Sequence, residues 1–213
     1  MHFEIEALIR EAVVEAKNAA RAQRLVRIGL METYAAIHLP AVLRAFSEMD
    51  VLPFTGPSAE MADRVRSGVL DFAVISSGVR TPDLDVSSLS SDELHLARGL
   101  TLRGADLDRI CVIRGIDALL KSQLLEAMTE KYGRTPIIIE VGSLDTIRSA
   151  VEGGVACSIL PARYLKAICA EGAALAVSEI PRRLVVEVVG IRRKLAGDDN
   201  NWRRFVETLR NLA

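Results

Sequence analysis

Aromatic side chains are scarce in this chain, at 4% of 213 residues. Single-stranded nucleic acids are held by stacking bases on aromatic rings, so the composition argues against that mode of binding. Excess basic charge is missing too. With 27 Lys and Arg against 28 Asp and Glu, the formal net charge is −1. A chain that grips a phosphate backbone unaided would carry a basic excess. Cysteines are few and odd in number: Cys111, Cys157 and Cys169. They lack metal-ligand spacing and sit in apolar surroundings, which predicts inert buried thiols in a reduced, cytoplasmic setting and no disulfide framework. No apolar run approaches the roughly 20 residues that span a bilayer. The first segment carries Glu4, Glu6, Arg10, Glu11 and Glu15 and is too charged for a secretory signal. No membrane partner is expected.

The motifs of catalysis are also missing. There is no Gly-x-Ser-x-Gly turn, no His-Glu-x-x-His and no phosphate loop ending in Gly-Lys-Ser/Thr. His38 and His95 have no Cys, Asp or Glu partner at metal-ligand spacing. His38, ahead of Leu39-Pro40 on an apolar helix face, reads as packed or partly exposed. Nothing assembles a nucleophile, a base and an orienting group, so no catalytic residue, metal or cofactor is assigned.

What the chain does have is an apolar half, 50% of its residues, arranged in alternating strand and helix patterns. Residues 3–22 read as a helix, with Ile5, Leu8, Ile9, Ala12, Val13 and Ala16 on one stripe that needs a partner. From Leu25 the order is strand 25–30, helix 33–49, strand 51–54, helix 58–67 and strand 70–76. Such alternation predicts a parallel sheet flanked by helices. Residues 78–92 are rich in turn formers and break the rhythm, as a crossing between domains would. A second series follows: weak strand 93–97, strand 110–113, helix 118–131, strand 137–141, helix 144–152, strand 156–160 and helix 162–170. Strand-like 175–177, strand 184–191 and helix 202–212 close the chain.

In open parallel sheets, ligands bind beyond the carboxyl ends of strands. The turns there are Met31-Glu32-Thr33, Thr55-Gly56-Pro57-Ser58, Ser76-Ser77-Gly78, Arg114-Gly115 and Gly142-Ser143. Two of them, in residues 27–40 and 141–161, open strand–turn–helix units whose helix N-termini present unpaired N–H groups to a common space. Ser58 and Ser143 read first as helix N-caps, a role compatible with touching a ligand. Arg114 leaves a buried strand for a glycine turn, where it is either solvated or grips a carboxylate-like group. Glu32 pulls the other way and disfavours an anion unless its carboxylate is otherwise engaged. Gly153-Gly154 reads as a helix C-cap.

These residues together resemble the effector-binding domain of LysR-type transcriptional regulators. The likeness runs from Leu25 over nearly the whole chain. Gly29 and Pro40 bracket a strand–turn–helix unit ending in Leu-Pro, and Ala41–Phe46 continues it. Ser67-Gly68-Val69-Leu70-Asp71-Phe72-Ala73 is similar to the family's Gly-x-Leu-Asp-x-Ala signature, and Ala105-Asp106-Leu107 and Ser143 to Pro161 complete the pattern. Where the family often has a small hydroxyl residue, this chain has Met31 or Glu32, which leaves the charge of the effector open.

The resemblance implies an α/β fold of two Rossmann-like lobes of the type 2 periplasmic-binding-protein kind, joined by hinge crossings and led by a linker helix. It divides the chain into a linker helix over 1–23, lobe I over 24–82 and 183–213, and lobe II over 83–182. It implies a small polar effector held between the lobes by Glu32, Thr33, Ser58, Ser77, Arg114 and Ser143, with no cofactor. Partners would be a second copy in a homodimer or tetramer, and DNA only through an N-terminal winged helix-turn-helix domain. No residues precede the linker helix to form that domain, so this chain is not expected to read DNA alone. Two other classes stay open. A transporter's solute-binding protein would carry an export signal or a lipid-anchor cysteine, and a phosphoribosyltransferase a phosphate-cradling glycine loop.

Overall fold

The computed structural model of the chain describes residues 25–102, 108–116, 118–180, 183–194 and 200–212. The helix expected over 3–22 and the Ala105-Asp106-Leu107 stretch lie outside them. The first half contains β1 (Leu25–Leu30), α1 (Glu32–Ala45), β2 (Asp50–Thr55), α2 (Ser58–Arg66) and β3 (Phe72–Ser76). Then come β4 (Leu84–Gly99), β5 (Arg109–Ile113), α3 (Ala118–Tyr132), β6 (Ile137–Val141), α4 (Leu144–Glu152), β7 (Cys157–Pro161) and α5 (Ala162–Ala170). The chain closes with β8 (Leu175–Ser178), β9 (Val185–Arg193) and α6 (Asn200–Asn211).

The strands run in the order β2-β1-β3-β9-β4-β7-β5-β6, with β8 on β4. Crossovers through helices make β1, β2 and β3 parallel on one side, and β5, β6 and β7 parallel on the other. Between these two parallel triplets the sheet is antiparallel: β3 pairs β9, β9 pairs β4, and β4 pairs β7. This corrects the expectation of a purely parallel sheet. A chain that crosses to the second half and returns must run against its neighbours on the way.

The same crossing corrects the reading of residues 78–92 as a break. Only its first residues turn, and from Leu84 the chain is one 16-residue strand. Leu84 to Glu93 pair with β9, and Leu94 to Ala97 with β7. The turn-forming serines survive in the ladder because most of its backbone bonds are made inside the sheet, where side-chain competition matters little. The register slips between Ser88 and Ser90, as at a β-bulge.

Helices cover both faces of each half, and each layer buries its own apolar cluster. In the first half α1 and α6 pack Val42, Phe46, Trp202 and Phe205 over Ile28, Leu30 and Phe72. On the opposite face α2 packs Met61 and Val65 over Leu70, Ile75 and Ile191. In the second half α3 brings Leu124 and Met128 to Leu94, Leu96 and Ile159, while α4 and α5 bring Ile147, Val151 and Leu165 to Ala97 and Cys111. An ion pair anchors β1 to β3: Arg27 Nη2 donates to Asp71 Oδ1 at 2.7 Å, and the Arg27 backbone N–H donates to Asp71 Oδ2 at 2.8 Å. This gives the Leu-Asp signature a structural role.

Cys111 and Cys157 are buried as expected, the Cys157 thiol donating to the Arg109 carbonyl at 3.2 Å. Cys169 is only half-buried, because it lies in the last turn of α5 beside the helix's exposed end. No helix among the described residues is long and apolar enough to cross a membrane.

Candidate functional site

The carboxyl ends of β1, β2 and β5 converge where the two halves of the sheet face each other, and a cavity of about 90 Å³ opens there. Its walls are mostly apolar, with Leu94, Val112, Leu120, Leu124 and Ile159 from the second half and Met31 and Pro57 from the first. That space holds several waters or a small molecule. Across its mouth the halves touch. Gly115, at φ +78°, lies so close that a Cβ there would come within 2.7 Å of the Pro57 Cβ. Only glycine fits both the left-handed turn and the contact.

Four of the six residues singled out from the sequence line this cavity: Glu32, Thr33, Ser58 and Arg114. Ser77 and Ser143 do not. Ser77 is exposed, and its N–H is committed to the Glu187 carbonyl at 2.9 Å. Its neighbour Ser76 lines the cavity instead. Ser143 caps α4, accepting from the Thr146 N–H at 3.2 Å. Replacing Ser143 by Ala is therefore expected to lower stability by about 1 kcal/mol. Ligand affinity should stay unchanged; a clear loss in calorimetry would return Ser143 to the site.

Ser58 corrects the cap expected of it. Pro57 holds the N-cap position of α2, and Ser58 is the first helical residue. Its Oγ accepts from the Ser76 N–H at 3.1 Å. Among the described residues the hydroxyl donates to the Met31 thioether, at 4.0 Å, a weak acceptor. Ser58 is thus oriented by one bond and left with a donor at the cavity. Neither α1 nor α2 has a side-chain cap at its N-terminus, so both helices keep first-turn N–H groups for another acceptor.

The charged lining is divided between the halves. Glu32 opens α1 and is half-buried. Burial pushes its carboxyl above the usual range; its own backbone N–H opposes this, and the nearby charge of Glu60 adds to the rise. Arg114 follows β5, its backbone N–H donating to the Val141 carbonyl at 2.8 Å while its side chain is exposed. Neither side chain forms an ion pair among the described residues. No group of His, Cys, Asp and Glu among those residues could hold a metal ion.

Beside Met31 and Thr33 a smaller, mainly apolar pocket also contains Tyr34, His38, Asp92 and Arg163, none of them singled out by the chemistry of the turns. His38 is buried, as its apolar helix face indicates, with its ring 4.3 Å from that of Tyr34. Burial, and then the charge of Arg163, lowers its pKa. The Tyr34 hydroxyl is buried without a hydrogen-bond partner among the described residues, and burial pushes its pKa up to about 12, against the opposing charge of Arg163. A raised folded-state pKa gives stability that is full below the unfolded value near 10 and is lost as pH rises towards about 12, at about 1.4 kcal/mol per pH unit. Tyr34→Phe is expected to remove that alkaline slope. It should also raise stability at pH 7 by up to about 1 kcal/mol, by deleting a desolvated hydroxyl. Urea titrations at pH 7, 10 and 11 measure both, and an unchanged slope would refute the assignment.

Comparison with known proteins places this geometry. The family model described as "LysR substrate binding domain" matches residues 19–213. Among curated proteins, the chain is 27% identical over 181 residues to the HTH-type transcriptional regulator GltR of Bacillus subtilis, covering 79% of this chain and 60% of that one. The chain thus spans about 60% of the length of that relative. Among solved structures, the reduced regulatory domain of OxyR2 from Vibrio vulnificus superposes with a TM-score of 0.71 at 15% identity, covering 89% of this chain and 95% of that one. Full-length CbnR complexed with its target DNA superposes at 0.66 and 20% identity, over 98% of this chain and 80% of that one. At such identities the likeness of structures speaks for the two-lobe fold.

Proposed function

The chain belongs to the LysR substrate-binding domain family, and from that premise we propose that it is the effector-sensing part of a transcriptional regulator. One observation carries the reading: a single cavity is lined from both halves by turns at strand carboxyl ends, with polar side chains on each side. A molecule seated there contacts both halves at once and favours whichever relative arrangement makes both contacts, which is the energetic requirement for a sensor. Lobe I comprises residues 24–82 and 183–213 and lobe II residues 83–182, with the crossings carried in β4 and β9. The effector lies between them, with Glu32, Thr33, Ser58 and Arg114 as its polar contacts. Movement of the lobes alters how copies of the chain assemble, as a dimer or tetramer, and so how a DNA-binding domain in the whole regulator, such as the one in the CbnR complex, meets its site. The role is sensing, without chemical change to the ligand.

The test is a thermal-shift screen of this chain against amino acids, organic acids and inorganic anions, repeated with Leu120→Trp, which fills the cavity from α3. A ligand at a hundred times its Kd should stabilise the original chain by about 2.7 kcal/mol, and the variant should lose that gain. A shift that survives Leu120→Trp would place binding elsewhere.

A further inference from the structure

We infer that the effector is a zwitterion with an apolar body, an α-amino acid with a hydrocarbon or thioether side chain, whose ammonium meets Glu32 and whose carboxylate meets Arg114. This rests on the cavity being the effector site. The two ionised side chains lining it have opposite signs and stand on opposite halves of the molecule, Glu32 at the start of α1 and Arg114 after β5. Neither has an ion-pair partner among the described residues. Some carboxylates and guanidinium groups elsewhere in the chain do pair, as Arg27 with Asp71, Arg64 with Glu60, and Arg192 with Asp85, whereas Arg114 acts on Glu140 only through its charge.

A purely anionic ligand would satisfy Arg114 and leave Glu32 repelling it; a purely cationic one would do the reverse. A neutral apolar molecule would bury both charges further without compensation. A zwitterion compensates both, and does so only when both halves hold it. Ser58 adds a hydroxyl donor from the α2 end, which suits a carboxylate oxygen. Apart from the hydroxyls of Thr33 and Ser76 on the first half, the remaining wall asks for hydrocarbon: Leu94, Val112, Leu120, Leu124 and Ile159 offer no side-chain polar partner to the part of the ligand that faces the second half. Polar amino acids would strand their side-chain groups there.

Isothermal titration calorimetry on this chain tests the assignment with leucine, isoleucine, valine, methionine and phenylalanine. For whichever binds tightest, the deaminated acid and decarboxylated amine follow: for leucine, 4-methylpentanoate and 3-methylbutylamine. At least one amino acid should bind, and each truncated analogue should bind about 10- to 100-fold more weakly, the range of a charge-assisted contact. Glu32→Gln should weaken the amino acid by a similar factor while leaving the deaminated acid unchanged or tighter. Arg114→Gln should weaken the amino acid and spare the amine. Circular dichroism and the melting temperature of each variant verify its folding.

The assignment is overturned if no amino acid of the set binds, if either analogue matches its parent, or if Glu32→Gln leaves the parent's affinity intact. Binding of some other compound, abolished by Leu120→Trp, would then keep the sensing role while removing the zwitterion. If nothing binds in the cavity, both fall.

Discussion

Phe205→Ala is expected to lower the unfolding free energy by about 3–5 kcal/mol, the largest single loss a side-chain truncation can cause here. Phe205 is fully buried on α6. Its ring lies 5.1 Å from Phe72, 5.7 Å from Trp202 and 6.3 Å from Phe46. In a chain so poor in aromatic residues, four of them meet at this point and fasten the last helix to the first half of the sheet. Truncation removes one ring's transfer free energy and unseats three others, and the rigid strand Phe72–Ser76 beneath cannot collapse into the gap. For a chain of this size the melting temperature should fall by roughly 10 °C. Chemical denaturation monitored by Trp202 fluorescence measures the loss directly. A cost under about 1.5 kcal/mol would mean that α6 contributes little to the fold.

Gly99→Ala is expected to be nearly as damaging, by a different route. Gly99 ends β4 against the turn that follows α4, and a Cβ there would come within 2.4 Å of the Val151 carbonyl oxygen and 3.2 Å of the Gly154 nitrogen. These are backbone atoms and cannot rotate away, so either β4 or the α4–β7 turn has to shift, at a cost of about 3 kcal/mol. The same shift would move Leu94 and Ile159, which line the cavity. The variant should therefore lose ligand-induced stabilisation along with its own stability. A stable variant that binds normally would show the contact to be soft.

Which of these features could be read from residues alone follows from how local their causes are. Helices α4 and α5 run over Leu144–Glu152 and Ala162–Ala170, the bounds their own punctuation marks. Ser143 caps one, Gly153-Gly154 ends it, and Pro161 precedes the other. Strand β4 was hidden because Leu84, Leu89 and Leu94 serve three different clusters on both faces of the sheet. Five-residue spacing across a register slip carries no two-residue period. Ser58 looked like a cap because Ser before a helix usually is one; its actual partner, the Ser76 N–H, comes from a strand eighteen residues away. That Glu32 and Arg114 line one cavity follows from folding alone. The smaller pocket beside it had little signal: Tyr34 and His38 share the four-residue spacing of one helix face, but Asp92 and Arg163 reach it from distant elements with no common motif.

Strand β4 donates and accepts main-chain bonds in both bodies, to β9 through Glu93 and to β7 from Leu94. The bodies can neither slide along it nor pull apart without tearing that ladder. The freedom left is torsion about the strand, like the turning of a shaft, and the slip between Ser88 and Ser90 is where such a shaft yields first. In the proposed sensing role, a molecule gripped at the junction would thus be reported as a rotation of rigid parts, with no loop having to refold.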